Sequence, residues 1–185
     1  MSRKLLPMKQ PRNLHIFVDE TKEGRYIMAA AALPSRGLTN ARKELRAQLL
    51  KKQPRIHFKD ERDSRRRQIL DVICQQGWRV GLFTASPKRE SIARGVCLDA
   101  IIQYVAAIGG MRLVIEVDDS VLQADKRMLF SAVERVQLAE GFTYSHMRAR
   151  NEELLWVPDA IAWCFARGGE WRKRIEPVLD GFIEL

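Results

Sequence analysis

The feature that most limits what this chain can become is an alternation. Short apolar runs rich in β-branched residues give way repeatedly to longer amphipathic segments, with glycines at the joints. Residues 14–18 are apolar and run straight into Asp19 and Glu20, which predicts a buried strand with acidic last side chains. A polar turn through Gly24 leads to a second run at 26–33, stopped by Pro34, and so short a connection makes a hairpin the natural pairing. Residues 38–52 read as a helix with Leu45, Leu49 and Leu50 inward and Arg42, Lys43, Arg46 and Lys51 outward. Residues 55–59 read as a short strand-like segment, followed by a helix from Asp63 or Ser64 to Cys74. Strands are then predicted at 78–84, 111–117 and 142–146. The predicted helices between and after them lie at 88–107, at 122–139 and from Glu152 or Val157 to Arg167. This is the pattern of an α/β fold that opens on a β-hairpin and continues through β-α crossovers. With 185 residues, no internal repeat and no long linker, the expectation is one domain over 14–185 behind a loose basic arm at 1–13.

A hydrophobic share of 46% beside 30% charged residues excludes wholesale disorder. No apolar run is read as approaching the roughly 18 residues of a membrane span. Residues 1–7 lack the apolar core of a signal peptide. The expectation is therefore a cytoplasmic protein with no membrane partner. Cys74, Cys97 and Cys164 are odd in number and widely spaced, which argues for buried thiols over a disulfide framework or a zinc site. The net charge of +9 is unevenly placed: the first 67 residues hold 18 Lys/Arg against 7 Asp/Glu, and the remainder 14 against 16. Arginine outnumbers lysine 22 to 10, and a planar guanidinium binds phosphate bidentately. A nucleic-acid partner is expected on these grounds, although a GC-rich genome accounts for the arginines equally well. Arg65, Arg66 and Arg67 crowd the first turn of a predicted helix, where cations oppose the helix dipole. With Arg55 and Arg62 they form the candidate nucleic-acid-binding set, the alternative being a solvated polar face.

Three element ends present carboxylates against an apolar background. Period two puts Phe17 and Asp19 on one face of the first strand and Ile16, Val18 and Glu20 on the other. The same alternation puts Val114, Glu116 and Asp118 together at the end of a strand that runs on to Asp119 and Ser120. Asp159 stands in the first turn of a helix that is apolar on nearly every side, and Ala162 and Ala166 share its face, so this helix can lie close on a sheet. Each acid taken singly has an ordinary reading as a turn or capping residue. Taken together, acids at three element ends are what divalent-metal phosphoryl chemistry needs, because hard cations take oxygen ligands. His15, His57 and His146 have no metal-ligand spacing, and no phosphate-binding loop, dinucleotide fingerprint or serine nucleophile elbow occurs. Trp78, Trp156 and Trp163 read as core, whereas Trp171 lies among Arg167, Arg172, Lys173 and Arg174 and is a candidate base-stacking residue.

At this point the motifs carry a resemblance. Phe17-Val18-Asp19-Glu20 closing the opening strand, then Ile56-His57-Phe58-Lys59, the acid-ended strand 114–119 and Pro158-Asp159-Ala160-Ile161-Ala162-Trp163 follow one another in a telling order. They resemble a large prokaryotic family of uncharacterised proteins, a domain of unknown function with a ribonuclease-H-like fold, over residues 14–167. The resemblance implies a nuclease-type site using Mg²⁺ or Mn²⁺. Asp19 would be the bridging ligand, with Glu116, Asp118 or Asp119 as the second and Asp159 as the third. It places Glu20, His57 and Lys59 beside them, His57 for proton transfer or phosphate contact and Lys59 for phosphate charge. The chain departs from the pattern at Arg55, where many relatives have glutamate. It also has Leu155-Trp156-Val157-Pro158-Asp159 in place of Gln-x-Ala-Asp. The function expected is hydrolysis of phosphodiester bonds in DNA or RNA. The alternative is a non-catalytic nucleic-acid-binding or interaction module on the same fold, and a third reading is a domain that binds another protein.

Overall fold

Adjacent antiparallel strands joined by a tight turn open the fold, as the hairpin pattern predicts. β1 (Leu14–Thr21) pairs with β2 (Tyr26–Pro34) in a register that sets Val18 opposite Ala30. The computed structural model describes residues 13–86, 90–138 and 140–185. After the hairpin come α1 (Leu38–Arg46), α2 (Asp63–Cys74), β3 (Arg79–Ala85), α3 (Glu90–Ile108), β4 (Gly110–Glu116) and α4 (Leu122–Val136). β5 (Thr143–Met147), α5 (Trp156–Arg167), α6 (Gly169–Ile175) and β6 (Leu179–Glu184) complete the order. The six strands form one mixed sheet ordered β5-β4-β1-β2-β3-β6. β4 runs parallel to both β1 and β5, β6 runs parallel to β3, and β2 is antiparallel to both its neighbours.

Helices cover both faces. Phe17, Ala29, Ala31, Leu82 and Val114 meet α1, α2, α5 and α6 on one side. Ile16, Val18, Ala30, Phe83, Leu113 and Ile115 meet α3 and α4 on the other. This explains the alanine run of β2, which strand propensity does not favour. With both faces buried, small side chains let α5 and α3 approach the central strands closely. At the entry to β4 the chain turns through Gly109 (φ 74°), and Gly110 lies so tight that a Cβ there would come 2.5 Å from Ile16 Cδ1 and 2.7 Å from Val105 Cγ1.

Several boundaries differ from the sequence reading, each for a local reason. The first helix stops at Arg46, not 52. The N–H groups of Gln48 and Leu49 bond carbonyls three residues back, Lys52 turns left-handed, and Leu50 is exposed rather than inward. Residues 55–59 are not a strand. Ile56 and Phe58 alternate into the core, yet the Phe58 N–H goes to a side chain instead of a ladder, and Phe58–Asp60 is a 3₁₀ turn. β4 ends at Glu116, so Asp118 leaves the alternation. α6 and β6 were not anticipated. β6 carries Asp180 and Gly181, residues depleted in strands, and is recruited by parallel pairing to β3. The predicted start of a helix at 88, the predicted end of another at 139 and most of the arm at 1–13 lie outside the described residues. Contrary to the reading of the apolar runs, α3 is long and apolar enough to cross a membrane, with a mean hydropathy of 1.4. It packs against the sheet and α4. Cys97 and Cys164 are buried, Cys74 is half-buried, and all three are free thiols.

Candidate active site

The strand periodicity that buries Phe17 and Val114 also carries Asp19 and Glu116 to the same face, two residues further along neighbouring parallel strands. α5 packs across β1 on that face, and its first turn brings Asp159 to the strand ends. The three carboxylates open on a cleft of about 690 Å³. Its walls include Lys22, His57, Lys59, Asp118, Asp119 and Trp163.

Asp19 is buried, and its Oδ1 accepts the Glu20 N–H at 2.7 Å. Burial pushes its carboxyl well above the usual carboxylate range, and the Glu116 and Asp159 charges and a hydrogen bond to Glu116 push the same way. Asp159 is also raised, by burial first. The Phe58 N–H, 2.9 Å from its Oδ2, and the nearby His57 and Arg55 oppose that rise. Glu116 Oε1 accepts Arg55 Nη1 at 2.9 Å and the Ala149 N–H at 3.4 Å.

The loop that serves Asp159 is itself fixed by Arg66. Its guanidinium donates to the carbonyls of Phe58 at 3.0 Å and Lys59 at 2.6 Å and lies 4.3 Å from the centre of the Trp163 ring. His57 Nδ1 is 2.8 Å from Asp60 Oδ2, and since a carboxylate only accepts, Nδ1 is the donor and Nε2 is left to the cleft. Lys59 is exposed on the cleft wall.

The other predicted acids, Glu20, Asp118 and Asp119, also line the cleft, but each has partners of its own. Glu20 points to the opposite face of β1, where Arg94 Nη1 holds its Oε2 at 2.7 Å. Arg94 also grips both oxygens of Asp125 at 2.8 and 2.7 Å, and His146 Nε2 lies 3.3 Å from Asp125. Asp118 accepts both the N–H and the hydroxyl of Ser120, the turn role open to it from the sequence, and Asp119 pairs with Arg148 on the surface. Of the candidate nucleic-acid-binding arginines, Arg65 pairs with Glu61 and Arg66 with Asp63, while Arg67 pairs with Glu170 and stacks by Trp171. Arg62 is exposed. Lys22, Trp163 and the role of Arg66 were missed, because only the packed arrangement brings them to the carboxylates.

The donor chemistry suits a hard divalent cation: carboxylate oxygens on neighbouring element ends, with Asp19 buried among like charges. Among the described residues, no three His, Cys, Asp or Glu side chains are gathered around a common point as a ready cage.

No family model and no curated protein matches the chain. Among solved structures it is similar to a chain of the PCNA:RNase HII complex from Archaeoglobus fulgidus. The identity is 16% and the TM-score 0.57, over 85% of this chain and 73% of that one. It is also similar to Bst-RNase HIII in complex with Mn²⁺, at 12% identity and a TM-score of 0.50, over 86% of this chain and 52% of that one. The chain thus spans about half the length of the second. At such identities the likeness is one of fold, and the fold is the ribonuclease-H-like α/β architecture that the sequence predicted.

Proposed function

We propose that this chain is a divalent-metal-dependent nuclease, hydrolysing phosphodiester bonds of nucleic acid at the ends of β1, β4 and α5. The observation that carries the reading is the meeting of Asp19, Glu116 and Asp159 at the floor of one cleft whose walls bear His57 and Lys59. The reading agrees with the motif order that resembles the uncharacterised ribonuclease-H-like family. It also agrees with a fold whose neighbours include a ribonuclease in complex with Mn²⁺.

Asp19 and Asp159, with Glu116 beside them, are the residues that would hold Mg²⁺ or Mn²⁺. The chemistry supplied by a cation bound there is activation of water and stabilisation of the leaving oxygen. The protein contributes the remainder. Lys59 offers positive charge to a phosphate entering the cleft. His57, steadied through Nδ1 by Asp60, presents a nitrogen able to take or deliver a proton. The Phe58 N–H and Arg66 keep Asp159 aimed at the strand ends.

The test is a panel of end-labelled single-stranded, double-stranded and hybrid oligonucleotides incubated with Mg²⁺ or Mn²⁺. Cleavage by the wild type is expected, lost in EDTA and reduced by a factor of about 10² or more in Asp19→Asn. Cleavage by Asp19→Asn at the wild-type rate refutes the assignment. Binding that ignores EDTA, with no cleavage of any substrate, favours the non-catalytic module instead.

A further inference from the structure

The ion pair between Arg55 and Glu116 bears on how many cations the site takes. Ile56 and Phe58 are both fully buried, and these anchors leave Arg55 and His57 alternating toward the carboxylates. Arg55 Nη1 sits 2.9 Å from Glu116 Oε1, and the same oxygen receives the Ala149 N–H at 3.4 Å. That oxygen is therefore committed to protein donors on two sides. Arg55 is about one-third exposed and Glu116 less so, so the pair lies where the cleft floor meets solvent, and its Coulomb attraction is only partly screened. The Arg55 charge is felt at Asp159 as well.

Charge points the same way. Beside Asp19, Glu116 and Asp159 the guanidinium of Arg55 already stands, so less negative charge at the strand ends is left for cations to answer. Two ions held roughly 3.5–4 Å apart need carboxylate oxygens free to bridge or to face each ion. Here one Glu116 oxygen is taken, and a second divalent ion would sit beside a fixed positive charge.

We infer that this site binds a single divalent cation, through Asp19 and Asp159, with the Arg55 guanidinium standing on Glu116 in place of a second. The inference rests on reading the cleft as a metal site, and the experiment separates the two.

Mn²⁺ alone is titrated calorimetrically into the full, EDTA-stripped chain, with Asp19→Asn marking adventitious sites. One Asp19-dependent ion per chain is expected for the wild type. Arg55→Glu, which removes the guanidinium and adds an oxygen ligand, is expected to raise the number to two. Arg55→Gln, which keeps the segment's length and polarity, is expected to admit a second, weaker ion even if Arg55→Glu fails to fold. Two Asp19-dependent ions in the wild type overturn the inference and leave the proposed function standing. A single ion retained in both folded Arg55 variants also overturns it. No Asp19-dependent ion at all overturns the inference together with the metal-site reading beneath it.

Discussion

Asp19 concentrates the energetics of the site in one side chain. Its carboxyl is held above the usual range in the folded chain, whereas in the unfolded chain it titrates near 3.9. Between those two values the folded state keeps a proton that the unfolded state has released, so stability falls as pH rises through that window. Asp19→Asn removes this penalty. In EDTA at neutral pH the variant is expected to be more stable by about 0.5–2 kcal/mol, and its stability should decline less between pH 4 and neutrality. Melting curves across pH check both statements, and a variant that melts lower than wild type at neutral pH contradicts them. This residue was legible in the sequence, since period two fixes its face beside Phe17, and Glu116 follows from Val114 by the same rule. The role of Arg66 was not. It reads as one of three cations in a helix's first turn, yet its guanidinium reaches carbonyls of the preceding loop and the face of Trp163, partners that only the packed chain supplies.

At the scale of elements, strands were easier to find than their ends. The near-continuous apolar runs of β1, β2, β3 and β4 follow from burial on both faces, and α5 declared itself through its apolar surface and small residues. β6 and the 3₁₀ turn at Phe58–Asp60 depend on partners distant in sequence, β3 in one case and Asp159 in the other. Gly110 is tightly enclosed where β4 enters between Ile16 of β1 and Val105 of α3. Gly110→Ala is expected to destabilise the fold by about 1–3 kcal/mol, because both neighbours are fully buried and have little room to yield. Denaturant unfolding measures this. A variant as stable as wild type would show that the sheet accommodates a methyl group there. Because β4 carries Glu116, the same variant is expected to weaken cleavage as well.

Over the described part of the molecule, several basic residues of the first third are answered by acids from later in the chain. Arg25 pairs with Glu184, Arg42 with Glu152, Arg46 with Glu153, Arg55 with Glu116 and Arg67 with Glu170. These pairs take up part of the charge asymmetry that the sequence shows. Arg36, Lys43, Lys51, Lys52, Lys59 and Arg62 are exposed, and Lys59 stands on the cleft wall. Whether this cleft holds a divalent cation through Asp19 is asked most directly by thermal unfolding against Mn²⁺ concentration. A ligand that binds only the folded state stabilises it by mass action, about 2.7 kcal/mol at a hundredfold excess over Kd. The melting temperature of the wild type is expected to climb with Mn²⁺ and that of Asp19→Asn to stay flat. A wild-type curve that does not move, or one that the variant matches, would contradict the account.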